Sequence, residues 1–292
     1  MLYSPINYQG NKSRIVNELL DYIPKDTTSI HEIFCGSAIL SLASEVHDIY
    51  LNDISTYAIQ LLKYFQQNSA EKIIQNTDNI IRQYGLTNTY YEGKSKYYEN
   101  KHEGLSRYNK DAYNKLKKDY NTDKTIDKLF VLIIYGFNHY LRFNNKNMFN
   151  VPVGKIDFVK SLRQKTYEYC RAINSKQISF SNLDFKEDIL YKQSDKKALF
   201  YFDPPYLITT TTYNSSWKET DEKALLNILD RLNDSGYRFM LSNVIESNGK
   251  ENVILKKWMK GYNVHYVNRQ YLNSSYHKKN ITKSIEVVIT NY

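Results

Sequence analysis

Five apolar residues, Ala198-Leu199-Phe200-Tyr201-Phe202, run directly into Asp203-Pro204-Pro205-Tyr206. A run that is apolar at every position has no wet face, so it reads as a strand buried on both sides. Two successive prolines cannot continue a central ladder, because proline lacks an N–H and its ring fixes φ. The strand must therefore stop at Phe202. Such a strand belongs to the sheet of an α/β fold, and ligands in open α/β sheets sit at the carboxyl ends of the strands.

The surrounding pattern agrees with α/β. Lys12 to Tyr22 carries Ile15, Leu19 and Leu20 at roughly helical spacing and stops at Pro24. Ile30 to Phe34 is a short strand, followed by Gly36 and a helical run through Leu42. Ile49 to Asn52 is a second strand ending at Asp53, after which Ser55 is placed to cap a helix through Gln66. This is a β-α-β unit, the start of a parallel sheet. Alternation resumes at Phe158 to Ala172 (helix), Ile178 to Phe180 (strand), Asp221 to Leu232 (helix), Arg238 to Ser242 (strand) and Glu251 to Lys260 (helix). Val264 to Asn268 and Ile285 to Thr290 are expected to pair as a closing antiparallel hairpin.

Between these halves the character changes. Residues 94–120 hold eight Lys or Arg, four acids and five Tyr without clean periodicity. Ile126 to Phe137 is apolar and helical, and Asn138 to Gly154 is rich in Asn and turn residues. The expectation is one catalytic domain formed by residues 1–63 and 158–292, with 64–157 inserted and carrying binding function on irregular elements.

The net charge of +9 favours an anionic partner, nucleic acid or a membrane surface. The N-terminal MLYSPINYQGNK lacks the apolar core of a signal peptide, and Leu129 to Phe137 is too short to span a bilayer. A soluble, cytoplasmic protein is expected. Cys35 and Cys170 are too few for a disulfide framework or a structural zinc site, and the six histidines, including His31 and His277, show no metal-ligand spacing. The 28 tyrosines are not counted as functional, because an AT-rich genome favours their codons.

The chemistry concentrates at Asp203-Pro204-Pro205-Tyr206. The prolines stiffen the turn and aim carbonyl oxygens outward, next to one carboxylate and one aromatic ring. An amino group on a flat heterocycle matches two acceptors and a stacking face. Gly36, following a strand, allows close backbone approach to a nucleoside. Asp53 lies 19 residues after Phe34 (53 − 34), the placement of a ribose-binding carboxylate in nucleotide folds. The turn has one glycine followed by Ser37 and Ala38 rather than G-x-G-x-x-G, which weakens a hydride-transfer reading.

Asp203 to Tyr206 resembles the signature of amino-methyltransferases. Tyr8-Gln9-Gly10-Asn11-Lys12, Glu32-Ile33-Phe34-Cys35-Gly36-Ser37-Ala38, Asn52-Asp53, and Arg142-Phe143-Asn144 followed by Phe149 to Lys155 are similar, in order and spacing, to the DNA adenine methylase family, the D12 class. The resemblance spans nearly the whole chain. It implies a Rossmann-like methyltransferase sheet dependent on S-adenosylmethionine, with an inserted, mainly helical DNA-recognition subdomain. It assigns catalysis to Asp203, Pro204 and Tyr206, and cofactor binding to Tyr8, Lys12, Glu32, Phe34, Gly36, Ser37, Ala38, Asp53, Asp184 and Phe185, with Glu32 facing the ammonium of the methionine moiety. Ala38 replaces a second glycine common in the family.

For DNA the resemblance names Asn138, Tyr140, Arg142, Asn144, Pro152 and Lys155, with Arg142 reading a guanine in the major groove. It implies a flipped adenine, double-stranded DNA as partner, and a GATC-like target. Asn7 stands where many relatives carry a basic residue that reads the first base. A cognate restriction enzyme and a solitary or phage-encoded role both stay open. Residues 94–120 read equally as a phosphate-tracking surface or as a solvated helical face, and Lys278 and Lys279 as backbone contacts or an ordinary basic turn. Two rival functions remain: methylation of RNA or another amino group on the same fold, and a DNA-binding module without catalysis.

Overall fold

The computed structural model describes residues 2–8, 12–97, 103–192, 195–209, 217–267 and 284–292. Gln9, Gly10, Asn11, Asn268, His277, Lys278 and Lys279, singled out above, lie outside them. The chain divides into two compact units, one of Met1–Ser13 with Tyr57–Lys176 and one of Arg14–Thr56 with Gln177–Tyr292.

The second unit carries the sheet. Its strands are β1 (Ser29–Glu32), β2 (Asp48–Asn52), β3 (Gln177–Ser181), β4 (Leu199–Phe202), β5 (Arg238–Ser247), β6 (Lys250–Glu251), β7 (Asn263–Val267) and β8 (Ser284–Thr290). The order is β3-β2-β1-β4-β5-β8-β7, with β6 pairing to β5 off this path. β3, β2, β1, β4 and β5 are mutually parallel neighbours, while β8 runs antiparallel to both β5 and β7. The α/β sheet and the antiparallel pairing of the last two strands match the expectation. All four residues of β1 and of β4 are buried, which is why the run before Asp203 shows no alternation. In a 3-2-1-4-5 order the connections reverse direction between β1 and β4, and that reversal opens a crevice at the strands' carboxyl ends.

Short helix α1 (Val16–Leu20) precedes β1, and α2 (Ile39–Ala43) joins β1 to β2. The expected helix from Lys12 to Tyr22 contracts to five residues. Ile15 at its start offers no side-chain cap, so nothing holds the first turn further back. Helix α9 (Glu219–Asp234) buries Leu225, Leu226, Ile228, Leu229 and Leu232 against Phe200, Phe202 and Phe239 of the sheet. The helix expected from Glu251 shortens to α10 (Val253–Trp258), capped where Asn252 Oδ1 accepts from Leu255 N–H at 3.0 Å. β5 runs five residues beyond its expected end at Ser242.

The first unit is helical: α3 (Thr56–Gln67), α4 (Ala70–Tyr84), α5 (Thr89–Glu92), α6 (Ser106–Thr122), α7 (Ile126–Tyr135) and α8 (Lys160–Asn174). The expectation of irregular elements in this stretch is corrected by α6, a 17-residue helix. Its inward stripe is Asn109, Tyr113, Leu116 and Tyr120, spaced four, three and four, but two tyrosines and an asparagine disguise it as polar. Tyr113 Oη donates to the Val151 carbonyl at 3.1 Å, so the ring packs while its hydroxyl is satisfied. α7 is buried from Leu129 through Tyr135 and forms the centre of this unit. Among the described residues no helix is long and apolar enough to cross a membrane.

Candidate active site

In the sheet-bearing unit, the segments after β1, β2, β3 and β4 all leave from the carboxyl edge. After β1 the backbone turns through Gly36 (φ 48°) and Ala38 (φ 51°), both left-handed, before α2 begins. Gly36 tolerates that conformation. Ala38 does not without strain of about 1 kcal/mol, and a glycine at this position removes it. Gly36 N–H donates to Asp53 Oδ2 at 2.8 Å, and Ser55 N–H to Asp53 Oδ1 at 2.8 Å. Asp53 therefore holds the turn after β1 and opens the segment after β2. Asn52 beside it is a staple that spacing did not reveal. Its Nδ2 donates to the Ile33 and Leu183 carbonyls, and its Oδ1 accepts from Ser181 Oγ and Leu183 N–H.

Glu32 closes β1 and is buried, with Oε2 accepting from Ser41 N–H at 3.3 Å and from Ser41 Oγ. Burial pushes its carboxyl up to about 8, with Asp203 and Asp53 adding like-charge repulsion and the Ser41 bonds opposing it. Asp53 is pushed up to about 6 for the same first reason, its two backbone bonds pulling the other way. The Cys35 thiol is driven well up by burial and by Asp53 and Glu32, which keeps it protonated and poorly nucleophilic. Asp203 and Asp53 both act on Glu32, so a cationic ligand beside Glu32 favours its charged form.

Asp203, Pro204, Pro205 and Tyr206 follow β4 directly. Tyr206 Oη donates to Asp203 Oδ1 at 2.9 Å, so the carboxylate and the ring are linked within one turn. Asp184 and Phe185 follow β3. Phe185 lies 5.3 Å from Phe34 and 5.2 Å from Trp217 between ring centroids, and Phe34 meets Trp217 edge-on at 5.8 Å. Three rings thus gather beside the turn after β1. Trp217 was missed, because a lone tryptophan eleven residues after Tyr206 has no spacing signal. It is aimed by Nε1 donating at 2.7 Å to Glu222 Oε2, a buried carboxylate on α9 that also accepts from Asn243 and Asn252. Burial raises the Glu222 carboxyl, and these three bonds counter it. Ser37 is buried in the turn after Gly36.

The helical unit holds the remaining predicted residues. Tyr8 is half-buried and Lys12 buried. Asn138, Asn144, Pro152 and Lys155 are exposed, and Tyr140 and Arg142 half-exposed. Asn138 (φ 53°) and His139 (φ 55°) are consecutive left-handed residues, and Asn7 Nδ2 donates to the Asn138 carbonyl at 2.9 Å. Arg142 is oriented by Asn150, its Nε donating to Asn150 Oδ1 at 2.9 Å and its Nη2 to the Asn150 carbonyl at 3.1 Å. Asn144 Oδ1 closes the tip of the loop by accepting from Lys146 and Met148 N–H. Gly154 passes against Gly136 so closely that a Cβ there would stand 2.7 Å from the Gly136 carbonyl oxygen. Three residues not foreseen brace this segment: Tyr57 stacks on Phe143 at 3.7 Å, Asn121 bonds both main-chain groups of Phe149, and Lys124 donates to the Asn147 carbonyl.

The sequence profile of the D12 class N6 adenine-specific DNA methyltransferases matches residues 8–273. The chain is 34% identical to the "Type II methyltransferase M.FokI" of Planomicrobium okeanokoites and 33% identical to the "Modification methylase StsI" of Streptococcus sanguinis, each over 99% of its length. It spans 43% of the length of those two relatives. A "DNA adenine methylase" of Salmonella typhi is 20% identical over 90% of this chain and 86% of its own.

Proposed function

We propose that this chain, which belongs to the D12 class N6 adenine-specific DNA methyltransferase family, transfers a methyl group from S-adenosylmethionine to the exocyclic amino group of adenine in double-stranded DNA. The observation that carries the reading is the Asp203-Pro204-Pro205-Tyr206 turn at the end of β4, beside the buried carboxylates Glu32 and Asp53.

The residues suit a cationic nucleoside cofactor. Both Ser41 bonds fall on Glu32 Oε2, so Oε1 is the oxygen to meet an ammonium group. Gly36 and Ser37 give main-chain approach, Asp53 holds that turn and offers its carboxylate to a ribose, and Phe34, Phe185 and Trp217 offer ring faces to an adenine beside Asp184. Tyr8 and Lys12 complete the set in this reading. When bound, S-adenosylmethionine supplies an electrophilic methyl carbon on a sulfonium.

Asp203 and the Pro204 carbonyl accept the two amino hydrogens of an adenine turned out of the duplex, and the Tyr206 ring stacks on the base. Holding both hydrogens directs the nitrogen lone pair away from the ring, and Asp203 receives the proton the nitrogen gives up. Acceptors fixed in advance contribute about 10²–10³ in rate each. Arg142, held by Asn150, presents a donor pair to a guanine edge. Asn138, Tyr140, Asn144, Pro152 and Lys155 serve the middle of the site, the orphaned base and the phosphates. The relatives named modification methylases make a cognate restriction enzyme the partner to look for.

Asp203→Ala tests the assignment. Methyl transfer to DNA should fall by at least about 10³ while the melting temperature and cofactor affinity persist. Turnover near that of the unmodified protein would refute it.

A further inference from the structure

The Tyr206 hydroxyl has a second neighbour. Besides donating to Asp203 Oδ1 at 2.9 Å, it lies 3.3 Å from Glu286 Oε1 on β8. The first bond joins two side chains of one turn, so it stiffens the turn without fixing it against the sheet. The hydroxyl has a single hydrogen to share between the two carboxylates, and the second acceptor lies on a strand 80 residues away in sequence. Glu286 pairs with Val244 of β5 on one side and Val267 of β7 on the other, so its main chain is held at both edges. It is 1% exposed, and a carboxylate taken that far from water is costly unless bonded.

A second feature lies beside it. The register of β5 against β8 shifts between Val244 and Glu246, immediately next to the Val244–Glu286 pair. An extra residue of this kind bends a strand and re-aims its side chains, and such bulges gather next to active sites. The floor of the same region is polar and buried, with Tyr201 Oη of β4 3.0 Å from Ser242 Oγ of β5.

We propose that Glu286 is a positioning residue for methyl transfer: by bonding the Tyr206 hydroxyl it registers the stacking ring, and through it the Asp203 carboxylate, to the body of the sheet. The inference rests on the methyltransferase reading above. Loss of this bond removes one of the contacts that register the Tyr206 ring, and with it the Asp203 carboxylate, to the sheet. A displacement of about 1 Å in a reacting geometry costs on the order of 10² in rate. Cofactor affinity has no reason to change, because the anchor acts on the base-holding turn.

The test uses Glu286→Ala, Glu286→Gln, Tyr206→Phe and the double variant Tyr206→Phe/Glu286→Ala in the full chain. The probes are an unmethylated DNA duplex, the same duplex with 2-aminopurine at the target adenine, and S-adenosylmethionine. Glu286→Ala should slow single-turnover methyl transfer about ten-fold or more, leave cofactor Kd within about two-fold, and change 2-aminopurine emission in the bound duplex. Glu286→Gln, which can still bond the hydroxyl, should recover most of the rate. Tyr206→Phe keeps the ring and removes this link together with the Asp203 bond, so the double variant should be no slower than Tyr206→Phe alone. Three results would overturn the proposal: an Ala variant as fast as the parent, a Gln variant as slow as Ala, or losses that multiply in the double variant. If Glu286→Ala does not fold, Glu286→Asp, which keeps the carboxylate but withdraws it from the hydroxyl, takes its place: a slow Asp variant beside a fast Gln supports the proposal, and a parent-like Asp rate overturns it. Failure of the unmodified chain to methylate adenine refutes the proposed function instead, and 2-aminopurine emission across the same variants then reads the anchor by itself, with unchanged emission overturning it.

Discussion

Glu32→Gln separates what the candidate site costs the fold from what it does for a ligand. In the folded protein burial lifts the Glu32 carboxyl from 4.5 to about 8. A raised folded pKa means the fold favours the protonated form. Its contribution to stability is therefore full below pH 4.5, declines as pH rises, and is gone above about pH 8. The whole shift corresponds to at most about 5 kcal/mol, and at pH 7 to about 3 kcal/mol. Gln cannot ionise, and its amide oxygen can still accept from Ser41 N–H and Oγ at the Oε2 position. Urea unfolding without cofactor at pH 5, 7 and 8.5 should show the variant level with the parent at pH 5, then progressively more stable, by about 2–3 kcal/mol at pH 7. Its affinity for S-adenosylmethionine should nevertheless fall at least about ten-fold, since the ligand's ammonium loses its carboxylate. A variant less stable than the parent at pH 8.5, with an unchanged pH slope, would show that burial does not hold the Glu32 carboxyl protonated.

Other predictions come from the same geometry. Ala38→Gly relieves a left-handed alanine, so it should not cost the roughly 1 kcal/mol that Ala→Gly normally does; a thermal melt showing a larger loss contradicts the strain. Arg163 holds Asp78 through Nη1 at 2.8 Å and Nη2 at 2.5 Å in the buried part of the helical unit. Arg163→Leu should destabilise by about 3 kcal/mol and Asp78→Leu/Arg163→Leu should regain part of it, as read by urea midpoints; a double variant weaker than the single would refute this. Arg142→Ala should relax discrimination at one base pair by about 1–3 kcal/mol, read by methylation rates on duplexes varied at each position. A uniform loss on every duplex would assign Arg142 to phosphate instead.

The sheet was legible because its signals are local. A strand apolar at every position, stopped by two prolines, and a glycine turn after another strand each mark a carboxyl end without reference to the rest of the chain. What stayed hidden depends on partners far apart in sequence. The α6 stripe escaped because Tyr113 and Tyr120 are core residues with polar tips, and Asn109 is buried by bonds to Thr87. Asn52 reads as an unremarkable neighbour of Asp53 until Ile33, Ser181 and Leu183 are brought to it. Trp217 and Glu222 are five residues apart, but the carboxylate's other donors come from Asn243 and Asn252. Glu286 sits in an otherwise apolar run, where a single acid looks like an edge-strand charge rather than a buried acceptor. The Arg142 segment was legible through its resemblance to the family, whereas the Tyr57, Asn121 and Lys124 contacts that stiffen it arise only from helix packing.

The most direct measurement is transfer of labelled methyl from S-adenosylmethionine to unmethylated double-stranded DNA, followed by nucleoside analysis and mapping of the modified positions. The expected result is label in N6-methyladenine, confined to one short sequence and absent with Asp203→Ala. Label in a methylated cytosine, or no label in DNA while the cofactor still binds, would contradict it.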